Sequence, residues 1–136
     1  MFRKRFRHIA LLVVCALLFL TACGPPDSTA QSCLRFDALR MDLQEYENNP
    51  PSDPDERFQT AEAIAGGFDT IRDNAQNPEL AEAADALSEF YWTALHIYYD
   101  NLLLGPDQII NEVVDQLGVE RMKAANQTYE RICGGI

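Results

Sequence analysis

The chain has 136 residues, of which 11 are Lys or Arg and 21 are Asp or Glu, so its formal net charge is −10 at pH 7. The length fits one domain, and a hydrophobic fraction of 47% argues against a disordered or fibrous chain. The only histidines are His8 and His96. If the segment around His8 is removed, no site that needs two histidines can form.

The first 20 residues have the pattern of an export signal. Four basic residues and no acidic residue lie between positions 1 and 8, and an apolar run follows from Ile9 to Leu20. A helix of this length is too short to span the roughly 30 Å hydrocarbon core of a bilayer comfortably. A basic start, a short apolar run and small residues after it are typical of a secretory signal peptide.

The next residues, Leu20-Thr21-Ala22-Cys23, resemble the lipobox of bacterial lipoprotein precursors: an aliphatic residue, two small residues and a cysteine. In that family the cysteine sulfur receives a diacylglycerol, the signal is cut just before the cysteine, and an N-acyl chain can follow. The resemblance implies that residues 1–22 are removed and that Cys23 is the lipidated first residue. The protein would then be anchored on the extracytoplasmic side of the cell membrane or the outer membrane. An uncleaved apolar anchor is the alternative.

Removal of the signal makes the remaining chain strongly acidic. Four of the 11 basic residues lie within positions 1–8, so residues 23–136 carry seven basic and 21 acidic residues, a net charge of −14. Such a surface repels phosphate groups, so nucleic acid is not an expected partner. Membrane attachment would depend on the acyl chains of Cys23, and no other cofactor is predicted.

The cysteines predict one disulfide. Cys15 lies in the removed apolar run and Cys23 would carry lipid, which leaves Cys33 and Cys133. Two thiols exported to an oxidising compartment are expected to pair. A catalytic or metal-binding pair is the alternative, but no Cys-x-x-Cys motif supports it. The bridge would join the two ends of the domain.

Helical periodicity runs through the rest of the chain. The Pro-rich residues 23–31 are predicted to be a flexible tether, and residues 32–136 an acidic helical domain. Asp53-Pro54 and Asn77-Pro78 are typical helix starts, with a capping side chain before a proline. Four helices are predicted, over about 32–48, 54–75, 78–104 and 107–132. Short connections favour an all-α, antiparallel up-down-up-down four-helix bundle with its ends joined by the disulfide.

Known catalytic and metal-binding patterns are missing from the predicted domain. A carboxylate-bridged di-iron bundle needs Glu-x-x-His on two helices, but the domain contains only His96, and Thr93 stands three residues before it. No nucleophile–base pair, P-loop or dinucleotide motif occurs in the chain. We therefore predict neither enzymatic activity nor a metal site.

The third predicted helix is apolar over a wider arc than a single core-facing stripe requires. Neighbouring helices could cover this arc. Alternatively, part of it is an exposed patch for an envelope protein or a second copy of the chain, because aromatic residues are enriched at interface hot spots. A third interpretation makes His96 an axial ligand of a haem-like cofactor. The candidate patch consists of Trp92, His96, Tyr99 and Leu103.

The sequence therefore predicts a membrane-anchored extracytoplasmic lipoprotein. Its helical domain would be a non-catalytic binding or assembly module of the cell envelope. The alternative is a carrier that holds a small apolar or haem-like ligand between the second and third helices. Gly66-Gly67, which predicts a kink or a close helix approach, would meet the aromatic residues there.

Overall fold

The structure is a computed structural model that describes residues 25–101 and 103–134. The signal peptide, the lipobox and Cys23 lie outside the described residues. The described part of the chain is all-helical and contains no β-strand, as predicted. It contains five helices: α1 (Thr29–Asn48), α2 (Pro54–Asn74), α3 (Pro78–Asp100), α4 (Pro106–Leu117) and α5 (Glu120–Cys133).

The predicted caps of α2 and α3 are confirmed. The Asp53 carboxylate accepts hydrogen bonds from two backbone N–H groups of the first turn of α2, at 2.9 and 3.0 Å. The Asn77 side chain does the same for α3, at 3.0 and 3.3 Å. Each cap satisfies donors that have no partner inside the helix, and the proline that follows fits the first helical position.

The four-helix count is not confirmed, because the segment predicted as one helix over 107–132 is interrupted. Helix α4 ends at Leu117, and Gly118 adopts a φ of 72°. Glycine reaches this left-handed conformation without the steric penalty of a side chain. Helix α5 begins two residues later, at Glu120.

Helix α3 lies at the centre of the packing, in contact with α2, α4 and α5, while α1 contacts α2 and α5. The rings of Phe68 and Tyr91 stack at 5.4 Å between centroids, and Phe58 meets the edge of Tyr99 at 4.7 Å. Because the earlier residue of α2 pairs with the later residue of α3, these two helices run in opposite directions.

The main core surrounds the predicted disulfide, which the structure contains. Cys33 and Cys133 are bonded, with their Cα atoms 5.5 Å apart. Beside the bond, the ring of Phe36 lies 5.0 Å from that of Tyr129 and 5.8 Å from that of Phe68. All three rings are buried. The start of α1 and the end of α5 are thus tied together over a packed aromatic cluster.

The segment before α1 contacts the connection between α2 and α3. The backbone of Asp27 donates to the Asn74 carbonyl at 2.7 Å and accepts from the Gln76 N–H at 3.0 Å. Its carboxylate pairs with Arg35 at 2.6 Å. Helix α1 begins at Thr29, inside the segment predicted to be a tether, because Ser28 and Gln31 form a capping box.

Candidate functional site: an apolar cavity lined by tyrosines

A cavity of about 530 Å³ lies between α1, α2, α3 and the start of α4. Two small side chains, Ala61 on α2 and Ala94 on α3, face it and leave space that larger residues would fill. Its apolar walls also include Leu43, Phe58, Ile64, Leu95, Leu104 and Ile109.

The position of this cavity partly fits the predicted ligand site between the second and third helices. It does lie between them, but Gly66-Gly67 do not line it. Gly67 instead faces α1, where an added Cβ would overlap the side chain of Leu39. Gly66 faces open space. Gly67 alone therefore serves the close approach of α1 and α2, which was one of the two roles predicted for the pair.

Three tyrosines line this apolar cavity: Tyr46 from α1, and Tyr91 and Tyr98 from α3. None of these hydroxyls makes a hydrogen bond to another described residue. In the described ranges, Ser32 Oγ is the one fully buried side-chain polar atom without a partner, so the tyrosine hydroxyls are not sealed from solvent. Burial, followed by the charge of Glu47, raises the pKa of Tyr91 to about 12. These neutral groups can donate to a ligand and accept from it.

One cation lines the same cavity. The Arg57 guanidinium donates through Nε and Nη2 to the Pro51 carbonyl, at 3.1 and 3.0 Å. Burial raises the pKa of Tyr46, and the positive charge of Arg57 opposes this shift, so the two groups are within electrostatic reach. Glu47 also lines the cavity and is exposed to solvent.

Trp92, the first residue of the predicted patch, is half-buried and belongs to a polar cluster on another face of α3. Its indole Nε1 donates to Asp69 at 2.8 Å, and the same carboxylate accepts from Ser88 at 2.7 Å and Arg72 at 2.6 Å. Burial raises the pKa of Asp69, but the hydrogen bonds from Ser88 and Trp92 and the charge of Arg72 outweigh it and lower the pKa overall. The cluster links α2 to α3 and uses the polar atom of Trp92.

The other residues of the predicted patch have different surroundings. His96 is exposed, with its ring 6.4 Å from that of Trp92. Tyr99 is 61% exposed and packs on Phe58. Leu103 is 99% exposed and lies in the turn after α3, because the helix ends at Asp100 rather than at the predicted 104. The structure thus brings Trp92 and His96 together, places Tyr99 against α2, and puts Leu103 off the helix.

Sequence reasoning did not assign the polar groups of the cavity to a site. Tyr46, Tyr91 and Tyr98 fall on the apolar stripes of their helices, where core residues are expected, and Arg57 belongs to no recognised motif. Nothing local distinguishes them, since they come from three different helices and meet only in the folded chain.

Two wider properties of the described residues bear on this region. Across 25–101 and 103–134, no three His, Cys, Asp or Glu side chains come together in an arrangement that could hold a metal ion. None of the five described helices is long and apolar enough to cross a bilayer.

Comparisons of the chain with models of protein families, with curated proteins and with solved structures find no match. The cavity and its polar groups are therefore the features from which a function can be inferred.

Proposed function

We propose that this protein is an extracytoplasmic lipoprotein whose helical domain binds a small apolar molecule in the cavity between α1, α2, α3 and α4. The cavity carries the proposal: its volume of about 530 Å³ falls in the range of roughly 300–1,000 Å³ typical of small-molecule sites. The resemblance of residues 20–23 to a lipobox supports the anchor, which would be acyl chains on Cys23. Binding, without chemical conversion, is the proposed activity.

The cavity is also what favours a carrier over a partner-binding module. The indole N–H of Trp92 already binds Asp69, and the ring of Tyr99 already packs on Phe58. Two aromatic members of the predicted patch thus have partners within the domain. The lining of the cavity, by contrast, has hydroxyl groups without partners among the described residues.

A haem-like ligand is less well supported than a metal-free one. His96 is exposed and is not among the residues that line the cavity. A haem held there would have no imidazole from the described residues as an axial ligand. The proposed ligand is therefore an organic molecule without a coordinated metal.

We also propose a modified form of the predicted up-down-up-down four-helix bundle, in which a fifth helix is added. In this arrangement α1, α2, α3 and α5 make an up-down frame, and α4 is an added wall over the cavity. The ion pairs of α5 with α3, Arg121–Glu89 and Arg131–Glu79, support it because they pair early with late positions, as in antiparallel helices. The disulfide between the start of α1 and the end of α5 has the same implication.

Native mass spectrometry tests ligand binding directly. The lipidated protein, purified unreduced from its own membrane, is expected to carry extra mass that denaturation removes. Ala61→Phe should reduce this mass to background, because the added ring occupies the cavity. Ala124→Phe is the matched control: Ala124 is exposed on α5, and the variant should carry the ligand like the wild type.

Equal ligand occupancy of Ala61→Phe and the wild type would contradict the proposed site. A wild-type protein with no bound mass that also fails to bind an added neutral apolar dye would contradict binding altogether. The anchor is tested separately: Cys23→Ser should abolish metabolic labelling with palmitate, and labelling that persists would overturn lipidation at this residue.

A further inference from the structure

Arg57 differs from every other described basic residue in the charges around it. The other six each pair with a carboxylate: Arg35, Arg40, Arg72, Arg121, Lys123 and Arg131. Arg57 makes no ion pair with any residue of the described ranges, although the whole chain has 21 acidic residues. Arg57 is therefore a cation that lines a cavity and has no carboxylate partner among the described residues. Such a group is a candidate for binding an anion.

The Arg57 guanidinium is also held in place. Nε and Nη2 donate to the same carbonyl, that of Pro51, in the loop between α1 and α2. This contact uses one edge of the planar group and leaves Nη1 without a protein partner among the described residues. A fixed guanidinium loses less conformational entropy when it binds an oxyanion than a freely rotating one would.

The surroundings of Arg57 fit a head group rather than a free ion. The Tyr46 hydroxyl lies within electrostatic reach of the guanidinium and has no described hydrogen-bond partner. Both residues line the cavity and both groups can act as donors to an oxyanion, and charge-assisted hydrogen bonds of this kind are stronger than neutral ones. The rest of the lining is mainly apolar, with Phe58 and Ala61 following Arg57 along α2.

Glu47 supplies the opposing charge of the cavity lining. It acts on the Tyr91 hydroxyl, whereas Arg57 acts on that of Tyr46. An anion would therefore be attracted towards the Arg57 and Tyr46 groups and repelled from Glu47. A ligand with an anionic head and an apolar tail would therefore place its head at Arg57 and its tail along the apolar walls.

We infer that the ligand is an anionic amphiphile, whose carboxylate, phosphate or sulfonate head binds Arg57 and Tyr46 while its apolar tail occupies the cavity. This inference rests on the proposed binding function and specifies its ligand class. The head-group preference is a property of Arg57, and the tail site is a property of the apolar walls.

Two fluorescent dyes separate these contributions. Anilinonaphthalene sulfonate carries an anionic head, and phenylnaphthylamine is its neutral counterpart. The full-length protein in phosphatidylcholine nanodiscs is titrated with each dye, and the signal of protein-free discs is subtracted. Arg57→Gln is expected to weaken binding of the sulfonate about tenfold or more, as for loss of a charge-assisted hydrogen bond. Its affinity for the neutral dye should change less than about twofold.

Arg131→Gln is the matched control, since it makes the same change in net charge at an exposed position of α5. It should leave the affinity for both dyes unchanged. Arg57→Lys should retain part of the preference for the sulfonate, because it keeps the charge without the planar fork. Displacement of the dye by dodecanoate or by dodecyl phosphate identifies which head group is preferred, and dodecanol should displace it poorly.

Three results would overturn the inference. Arg57→Gln could leave the sulfonate affinity unchanged while both dyes bind, which would retain the cavity site but remove the role of Arg57. It could weaken both dyes equally, in which case Arg57 only supports the cavity wall through Pro51. If neither dye binds the wild type, the proposed binding function fails together with the inference.

Discussion

The two ends of the α1–α2–α3 assembly are built from the same helices and packed differently. At the disulfide end, defined by Cys33, Phe36, Phe68, Leu80 and Cys133, the side chains are almost completely buried. At the cavity end, α2 begins, α3 ends, and about 530 Å³ remains open. The same three helices therefore make a closed core at one end and leave a cavity at the other.

The difference arises from what covers α3 along its length. Helix α5 packs on α3 and α1 and is bonded to α1 through Cys133. Helix α4 packs mainly on α3, where Val113 is fully buried, and the break at Gly118 separates it from α5. None of the residues that line the cavity comes from α5, whereas Ile109 and Ile110 of α4 do line it.

The largest expected effect concerns the disulfide end. Replacing Cys33 and Cys133 together with Ser should lower the free energy of unfolding by about 4–5 kcal/mol, since the bond closes a loop of roughly 100 residues. Urea unfolding of the unreduced protein measures the loss, and the reduced wild type is the control. If the two ends are independent, molecules that remain folded should bind apolar dye like the wild type. A loss below about 1 kcal/mol would mean that packing alone holds this end.

A smaller effect, which depends on pH, is expected at the cavity end. The pKa of Tyr91 is about 12 in the fold against an ordinary value of 10.0, so folding favours the neutral hydroxyl. Its contribution is fully present below about pH 10 and is lost as the pH rises towards 12; the total is about 2–3 kcal/mol. Urea unfolding at several pH values should show a smaller alkaline loss for Tyr91→Phe than for the wild type.

Tyr99→Phe is the matched control for this pH dependence, because Tyr99 is exposed. That variant should lose stability with pH as the wild type does. Identical pH profiles for Tyr91→Phe and the wild type would show that the cavity is more hydrated than the burial of Tyr91 implies.

The smallest predicted effects lie between the two ends, at the glycine pair of α2. Gly67→Ala should lower stability by about 1–3 kcal/mol, because the new Cβ overlaps Leu39 of α1. Gly66→Ala should raise it by about 0.5–1 kcal/mol, since this position faces open space and alanine favours the helix. Thermal unfolding compares them. Shifts in the same direction would show that the approach of α1 is not what requires glycine at position 67.

Local chemistry was enough to predict several elements. A capping side chain followed by proline marked the starts of α2 and α3 at Asp53 and Asn77, because a cap needs only groups within four residues of one another. The pairing of Cys33 with Cys133 followed from a count of the available thiols. The break at Gly118 was missed, since a single glycine inside an apolar periodicity is compatible with a continuous helix.

The sequence by itself determined the helical class, the caps and the disulfide, because periodicity, capping and thiol pairing are properties of residue type and spacing. Only the tertiary structure decided which stripe residues fill a core and which line a cavity. Tyr91 and Phe68 both fall on the apolar stripes of their helices, yet Tyr91 lines the cavity whereas Phe68 is buried in the core. That Arg57 has no carboxylate partner was likewise decided by distances between helices, which no local pattern specifies.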